Sequence, residues 1–330
     1  MSEFTYKNAG VDIHEAATFV HDIGALRART EAKRQLMQSF GLFAATYDLS
    51  GYREPVIVTG CDGVGTKLEL LLHHDLLEIA GKDLVAMNVN DVLTTGCDPV
   101  MFLDYLGISH IDRSRMARLI SGMVDYLESC DCILAGGETA EMPGVVPDGF
   151  IEMSGFCIGA GEKSALVQPE RVAHGDVLVG YPSDGFHANG WSLVRKVLAA
   201  FPDEFSTEEI IALLAPTRLY HDVTRALQAG SVDIRAMAHI TGGGLPENLG
   251  RLFRPGTGAR LSIPAWELGA VPKVLRHVPQ EDALWTFNMG FGWVAIVPPG
   301  DADAAVRCHP DAIVLGEIIP GDGVTVEVKR

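Results

Sequence analysis

Apolar, β-prone runs alternate along this chain with stretches of helical period, and glycine-bearing polar loops stand where one gives way to the next. A chain punctuated in this way layers helices on sheets, because each strand must bury a face and each helix a stripe. The sharpest instance is Pro55-Val56-Ile57-Val58, followed by Thr59-Gly60-Cys61-Asp62-Gly63-Val64-Gly65-Thr66-Lys67 and then the helix-prone Leu68-Glu69-Leu70-Leu71-Leu72. The middle segment reads as a turn that carries a carboxylate, glycines, a hydroxyl and a lysine. Glycine lets backbone N–H groups approach an anion closely. Lysine adds a point charge for phosphate, and an aspartate can hold Mg²⁺ against the same phosphate. The spacing is neither that of a Walker A loop nor the G-x-G-x-x-G dinucleotide fingerprint. The plain alternative is a strand-end turn whose Asp and Lys are solvated.

With 330 residues, 47% of them apolar, the chain can bury ample core and is long enough for about two domains. A net charge of −17, from 26 Lys+Arg against 43 Asp+Glu, argues against a nucleic-acid-binding surface. An acidic protein that handles phosphates must concentrate cations or glycine amides locally, which fits Mg²⁺ use. No apolar run reaches the roughly 18 residues that span a bilayer, and Met1-Ser2-Glu3-Phe4 lacks a signal-peptide pattern. The six cysteines form no C-x-x-C pair, and Cys130-x-Cys132 is too isolated for a zinc site, so a reduced cytoplasmic setting is expected.

The pattern predicts an α+β (α/β-like) protein in two comparable parts, residues 1–165 and 166–330, with the boundary in the turn-rich stretch from Gly159 to Pro169. Strands are expected at Val56–Thr59, Val100–Leu106, Cys132–Ala135 and Phe150–Ala160, and helices over Ala16–Leu42, Asp83–Thr94 and Arg113–Ser129. Further on, strands are expected at Val177–Tyr181, Gly292–Val297, Ala312–Glu317 and Val324–Val328. The expected helices there are Gly190–Ala200, Thr207–Leu214, Leu219–Gln228 and Pro246–Leu252.

Four more segments carry chemistry. Asn88-Val89-Asn90-Asp91 lies late in an apolar helix, where a buried carboxylate needs a partner such as a metal shared with Asp62. Alternatively, Asp91 bonds the backbone of the turn that follows. Leu134-Ala135-Gly136-Gly137-Glu138-Thr139-Ala140-Glu141 reads as a strand ending in Gly-Gly with two acids after it, suited to phosphate and metal, or as the acidic first turn of a short helix. Ser183-Asp184-Gly185-Phe186-His187-Ala188-Asn189-Gly190 places His187, an imidazole that titrates near neutrality, in a glycine-flanked loop before a helix. His239-Ile240-Thr241-Gly242-Gly243-Gly244-Leu245-Pro246 holds more glycines than one tight turn needs, which suggests amides for a phosphate. Thr286-Phe287-Asn288-Met289-Gly290-Phe291-Gly292 reads as close packing more than chemistry.

Taken together and in this order, these segments resemble the AIR synthetase (phosphoribosylformylglycinamidine cyclo-ligase) family. The resemblance also includes Tyr6–Ile13, Asp83–Met87, Phe102-Leu103-Asp104-Tyr105, Ser192–Lys196 and Leu214-Ala215-Pro216-Thr217-Arg218, and it covers nearly the whole chain. It implies a two-domain AIR-synthetase fold in which the N-terminal domains of a homodimer pair their sheets into a barrel. It also implies a reaction: ATP phosphorylates the formyl oxygen of formylglycinamidine ribonucleotide, and a nitrogen then displaces phosphate to close the ring. On this reading Asp62, Asp91 and Glu138 hold Mg²⁺, and Asp62, Lys67 and His187 form the catalytic set. Gly63, Gly65, Thr66, Lys67, Gly136, Gly137 and Asn189 meet ATP phosphates, while Thr241, Gly242, Gly243 and Gly244 receive the substrate phosphate. The family pattern is broken at Gln35–Phe43, which has one glycine where members carry a glycine-rich run, and near His21–Gly24, where a lysine is replaced. Two rivals stand beside this reading: a phosphotransferase of the same fold, and a nucleotide-binding regulator without turnover.

Overall fold

The computed structural model describes residues 13–31, 34, 36, 37 and 44–329. The segments Tyr6–Asp12 and Gln38–Phe43, with Gln35, lie outside them. The chain divides into two compact units. The first takes the described residues up to Val64, with Leu68–Val92 and Cys97–Ser164; the second takes Gly65–Lys67, Leu93–Gly96 and everything from Ala165 onward.

The first unit runs α1 (Ile13–Arg29), β1 (Pro55–Gly63), α2 (Lys67–His73), α3 (Leu77–Leu93), β2 (Asp98–Ile108), α4 (Arg113–Ser129), β3 (Ile133–Glu141) and β4 (Ile151–Glu162). Its four-stranded sheet has the order β1-β4-β2-β3. β4 pairs antiparallel with both β1 and β2, while β2 and β3 are parallel and joined through α4, as a parallel pair requires a crossover. α4 forms where the sequence predicts it. The Asp112 side chain caps it by accepting from the Ser114 and Arg115 amides, and its apolar positions at three-to-four spacing are all buried. α3 is buried along most of its length, its polar Asp83, Asn88 and Asn90 included. α3 and α4 meet backbone to backbone: a β-carbon on Gly81 would collide with the Leu119 carbonyl, and one on Gly122 with the Glu78 carbonyl.

The second unit contains β5 (Val177–Pro182), α5 (Trp191–Ala200), α6 (Thr207–Leu213), α7 (His221–Ala229), β6 (Ala236–His239), α8 (Gly244–Gly250), β7 (Thr257–Pro264), α9 (Val271–Leu275), α10 (Gln280–Thr286), β8 (Phe291–Val297), α11 (Ala302–Arg307), β9 (Ile313–Pro320) and β10 (Gly323–Lys329). Its six-stranded sheet is ordered β10-β7-β9-β5-β8-β6, with only β10 and β7 parallel. β8, buried at every position, is an interior strand.

The expected strands all form, and several extend further than predicted. β1 continues through Gly63, so only Val64–Thr66 turns before α2. β3 continues through Gly136-Gly137 to Glu141, which makes Glu138 and Glu141 strand residues rather than the start of a helix. The helix expected over Ala16–Leu42 ends at Arg29. There the Thr30 hydroxyl bonds back to the Arg27 carbonyl and accepts the Leu134 amide, tying the chain to β3. The sequence pattern does not reveal β6, β7 or α9–α11. β6 is only Ala-Met-Ala-His, β7 carries Gly, Arg and Pro, and the three helices are five to seven residues long. Among the described residues no helix is long and apolar enough to cross a membrane.

Candidate functional site

In the first unit, strand register organises the acids. Asp62 on β1 stands opposite Gly155 on β4, Gly155 opposite Asp104 on β2, and Asp104 opposite Gly137 on β3. Register partners share a face of the pleat, so these four residues form one row across the sheet. The glycines are required by the side chains beside them. A β-carbon at Gly137 would strike the Asp104 carboxylate, and one at Gly155 would strike Asn88 and Phe102.

α3 covers this same face. The buried Asn88 amide accepts from the Asp62 N–H at 2.8 Å and donates to the Asp62 carbonyl at 3.1 Å, as well as to the Leu84 carbonyl at 2.8 Å. Asn88 therefore locks the helix to the strand at the residue that carries the candidate carboxylate. The Asp62 carboxylate turns back to accept its neighbour Gly63 N–H at 2.7 Å. Asp91 lies over Gly60, its β-carbon 3.8 Å from where a Gly60 side chain would begin. Asp91 is exposed rather than buried; the buried polar residues of this helix segment are Asn88 and Asn90. Asp91 therefore has no buried charge to compensate, although it does lie on the Asp62 face.

Glu138 does not join them. It is opposite Tyr105, which is opposite Ser154, which is opposite Gly63, one row beyond Asp62. The pleat sends that row to the other face. Among the described residues no three His, Cys, Asp or Glu side chains gather closely enough to hold a metal ion, so the expected trio of Asp62, Asp91 and Glu138 is not assembled. The acid that shares the Asp62 row is Asp104. It is 8% exposed, and burial first, with the Glu138 charge second, raises its carboxyl to about 7. One signal for it was available: an aspartate within Phe102-Leu103-Asp104-Tyr105-Leu106, an otherwise apolar strand.

The second unit gathers His187, Asn189, Lys67 and the triple-glycine turn. His187 is 1% exposed and sits in the left-handed region, φ 61°, between Gly185 (φ 149°) and Gly190 (φ 78°). The Trp191 indole N–H donates to the His187 carbonyl at 2.6 Å. The Arg218 amide donates to His187 Nε2 at 3.4 Å, which leaves the proton on Nδ1, a buried atom without a partner. Burial foremost, then the electrostatic influence of His239, Lys67 and Arg218, holds the imidazole well below its ordinary range, so it stays neutral.

Lys67, expected on nucleotide phosphates, is fully buried; Nζ donates to the Ala215 carbonyl at 2.7 Å and lies 5.7 Å above the Trp191 ring centre. Its charge acts on His187 through space. Asn189 reaches toward the glycine turn, with Nδ2 3.8 Å from where a Gly242 side chain would begin, and its Oδ1 is buried without a partner. The turn uses two of its glycines, Gly243 (φ 93°) and Gly244 (φ 59°), for left-handed backbone, so the inference that one glycine suffices does not hold. Asn248 Nδ2 donates to the carbonyls of Thr241, Gly242 and Gly244 at 2.8–3.3 Å, and the Glu247 carboxylate packs against Gly243. Gly65 and Thr66 belong to this unit, whereas Gly63 and Gly136 are strand residues of the first.

Comparison with known proteins agrees with this layout. Residues 44–160 match the AIR synthase related protein N-terminal domain, and residues 173–329 its C-terminal domain. Among solved structures, a thiamine-monophosphate kinase from Stenotrophomonas maltophilia K279a superposes with a TM-score of 0.67 at 18% identity, covering 92% of this chain and 95% of that one. The hydrogenase maturation protein HypE in complex with ATP gives 0.65 at 17%, covering 94% and 91%. These two share the fold. Sequence likeness is far closer to phosphoribosylformylglycinamidine cyclo-ligases. That of Caldanaerobacter subterraneus subsp. tengcongensis is 37% identical over 96% of this chain and 98% of its own, and that of Synechococcus sp. (strain CC9605) is 40% identical over 98% of both. That of Burkholderia multivorans is 42% identical over 99% and 94%. With both domains matched and this identity sustained end to end, the chain belongs to the phosphoribosylformylglycinamidine cyclo-ligase family.

Proposed function

We propose that this chain converts formylglycinamidine ribonucleotide to aminoimidazole ribonucleotide with consumption of ATP, as a cytoplasmic step of purine biosynthesis. The carrying observation is the 37–42% identity to cyclo-ligases over nearly the full length of both partners. All six cysteines are free thiols, which fits a reducing compartment. Two units that present different chemistry fit a reaction that first activates an oxygen and then closes a ring.

In the first unit, Asp62 and Asp91 would hold the Mg²⁺ of the nucleotide. Two carboxylates would suit an ion that keeps its other positions for water and phosphate oxygens, so the lack of a three-acid cluster among the described residues is no obstacle. Bound there, Mg²⁺ would supply positive charge against the phosphoryl group that is transferred. Gly63, Gly136 and Gly137 offer backbone without side chains near this row, and Gly65, Thr66 and Asn189 are proposed to meet phosphate in the second unit. The buried Lys67 works by field: after burial, and with His239 and Arg218, it keeps His187 neutral, so Nδ1–H remains available as an uncharged hydrogen-bond donor during ring closure. Thr241–Gly244 remain proposed for the substrate phosphate, although the Glu247 carboxylate must then be displaced or outweighed.

A homodimer is proposed through the other face of the first sheet. There Ile57 is 59% and Phe156 41% exposed, with Cys61 beside Phe156 in register. Apolar side chains at such exposure on a flat sheet call for a partner surface. Light scattering of the purified chain should return twice the chain mass, and a monomer at micromolar concentration would remove this part of the proposal.

The deciding experiment measures aminoimidazole ribonucleotide formed from formylglycinamidine ribonucleotide, ATP and Mg²⁺, beside an Asp62→Asn control. Product formation that collapses in the control establishes both the activity and the role of Asp62. A folded, ATP-binding protein that makes no product would instead favour a phosphotransferase acting on another small molecule.

A further inference from the structure

The segment Thr286–Gly292, read from sequence as packing, proves to be the cradle of the His187 loop. Asn288 is 2% exposed. Its Oδ1 accepts from the Ser183 hydroxyl at 3.0 Å and from the Gly290 amide at 2.9 Å, while its Nδ2 donates to the Gly185 carbonyl at 2.9 Å. The Ser183 amide donates to the Gly290 carbonyl at 2.9 Å, so the two segments are tied by backbone as well. Beside these bonds the Phe186 and Phe287 rings pack 4.6 Å apart, centre to centre. Gly292 then provides room for the imidazole, since a β-carbon there would strike His187 Cε1 and the Tyr220 hydroxyl. The His187 backbone is left-handed at φ 61°, a conformation a non-glycine residue keeps only where its surroundings impose it.

We propose that Asn288 is a positioning residue: by holding the Gly185 carbonyl and the Ser183 hydroxyl at once, it imposes the backbone that points the His187 ring into the space left by Gly292. This pattern of two accepted bonds and one donated bond selects asparagine specifically. Aspartate keeps both accepted bonds but loses the donor to Gly185, and it sets a negative oxygen against that carbonyl. Asn288→Asp therefore cuts one tie, two residues from His187. The consequence for turnover rests on the reading of His187 given above, whereas the consequence for the ring does not.

The test uses full-length Asn288→Asp, with Ser183→Ala as a milder cut in case the first variant fails to fold, and reads two things. Steady-state kinetics should show kcat reduced about tenfold or more, with KM for ATP within about twofold. Nitrogen-15 NMR of histidine-labelled protein, with the His187 signals identified by their loss in His187→Asn, should show altered ring-nitrogen shifts for His187. Unchanged His187 shifts in a folded variant would overturn the proposal, whether or not turnover falls. Altered shifts with full turnover, alongside an active His187→Asn, would uphold the positioning and reject the role of His187 in chemistry.

Discussion

The two units handle polar side chains in opposite ways. In the first, Asp62 and Asp91 are exposed, Asp104 is buried with no ion pair to a cation among the described residues, and the glycines between them serve to make room. In the second, Lys67, His187, Asn248 and Asn288 are almost entirely covered, and most of their polar atoms are bound to backbone carbonyls and amides. Exposed carboxylates such as Asp62 and Asp91 are open to an arriving cation. A buried network tied to backbone groups is largely assembled beforehand and holds its geometry without help. The acid row is thus suited to recruit a charged ligand, and the second unit to offer a fixed, uncharged donor.

The hardest blow to this contrast is expected from His187→Asn. It should lower kcat by about 10²- to 10⁴-fold while leaving nucleotide affinity nearly unchanged. Turnover at the wild-type rate would show that the buried imidazole is only a core residue. Asp62→Asn should do the reverse at smaller scale, weakening Mg²⁺-dependent nucleotide binding about tenfold, or ~1.4 kcal/mol, in calorimetric titration. Equal affinity with and without Mg²⁺ in both proteins would remove Asp62 from the metal.

The smallest effect concerns Asp104, whose carboxyl titrates at about 7 instead of near 3.8. The folded state then holds a proton that the unfolded chain has released, so stability falls as pH rises from about 4 to about 7 and levels off above. Asp104→Asn should flatten that slope and raise the melting temperature at pH 8 but not at pH 4. The same slope in both proteins would show that Asp104 ionises freely.

Which of these features the sequence reveals follows from how far apart their partners lie. α4 is legible because its cap and its stripe sit within one stretch of chain, and β1 because Val56–Val58 is β-prone on its own. The Asp62 side of the acid row is visible for the same reason. The exclusion of Glu138 is not, because it depends on which β3 residue lies opposite Tyr105, and a register shift between Phe102 and Leu103 sets that pairing. Asn288 was hidden by distance: its bonds to Ser183 and Gly185 span 105 and 103 positions. Lys67 misled because a lysine beside glycines looks the same in sequence whether it faces solvent or lies beneath the carbonyl of Ala215.

The contact of α3 with α4 through Gly81 and Gly122 sets a tolerance as well as a shape. No side chain lies between those backbones to absorb an error, so a single added methyl must displace one helix bodily. α3 also carries Asn88, whose amide has to meet both the N–H and the carbonyl of Asp62, and a clamp with two contacts cannot follow a sliding helix. The alignment of Asp62 is therefore gauged at a crossing that contains no acid, and Gly81 or Gly122 is where a small change would detune it with every carboxylate still in place.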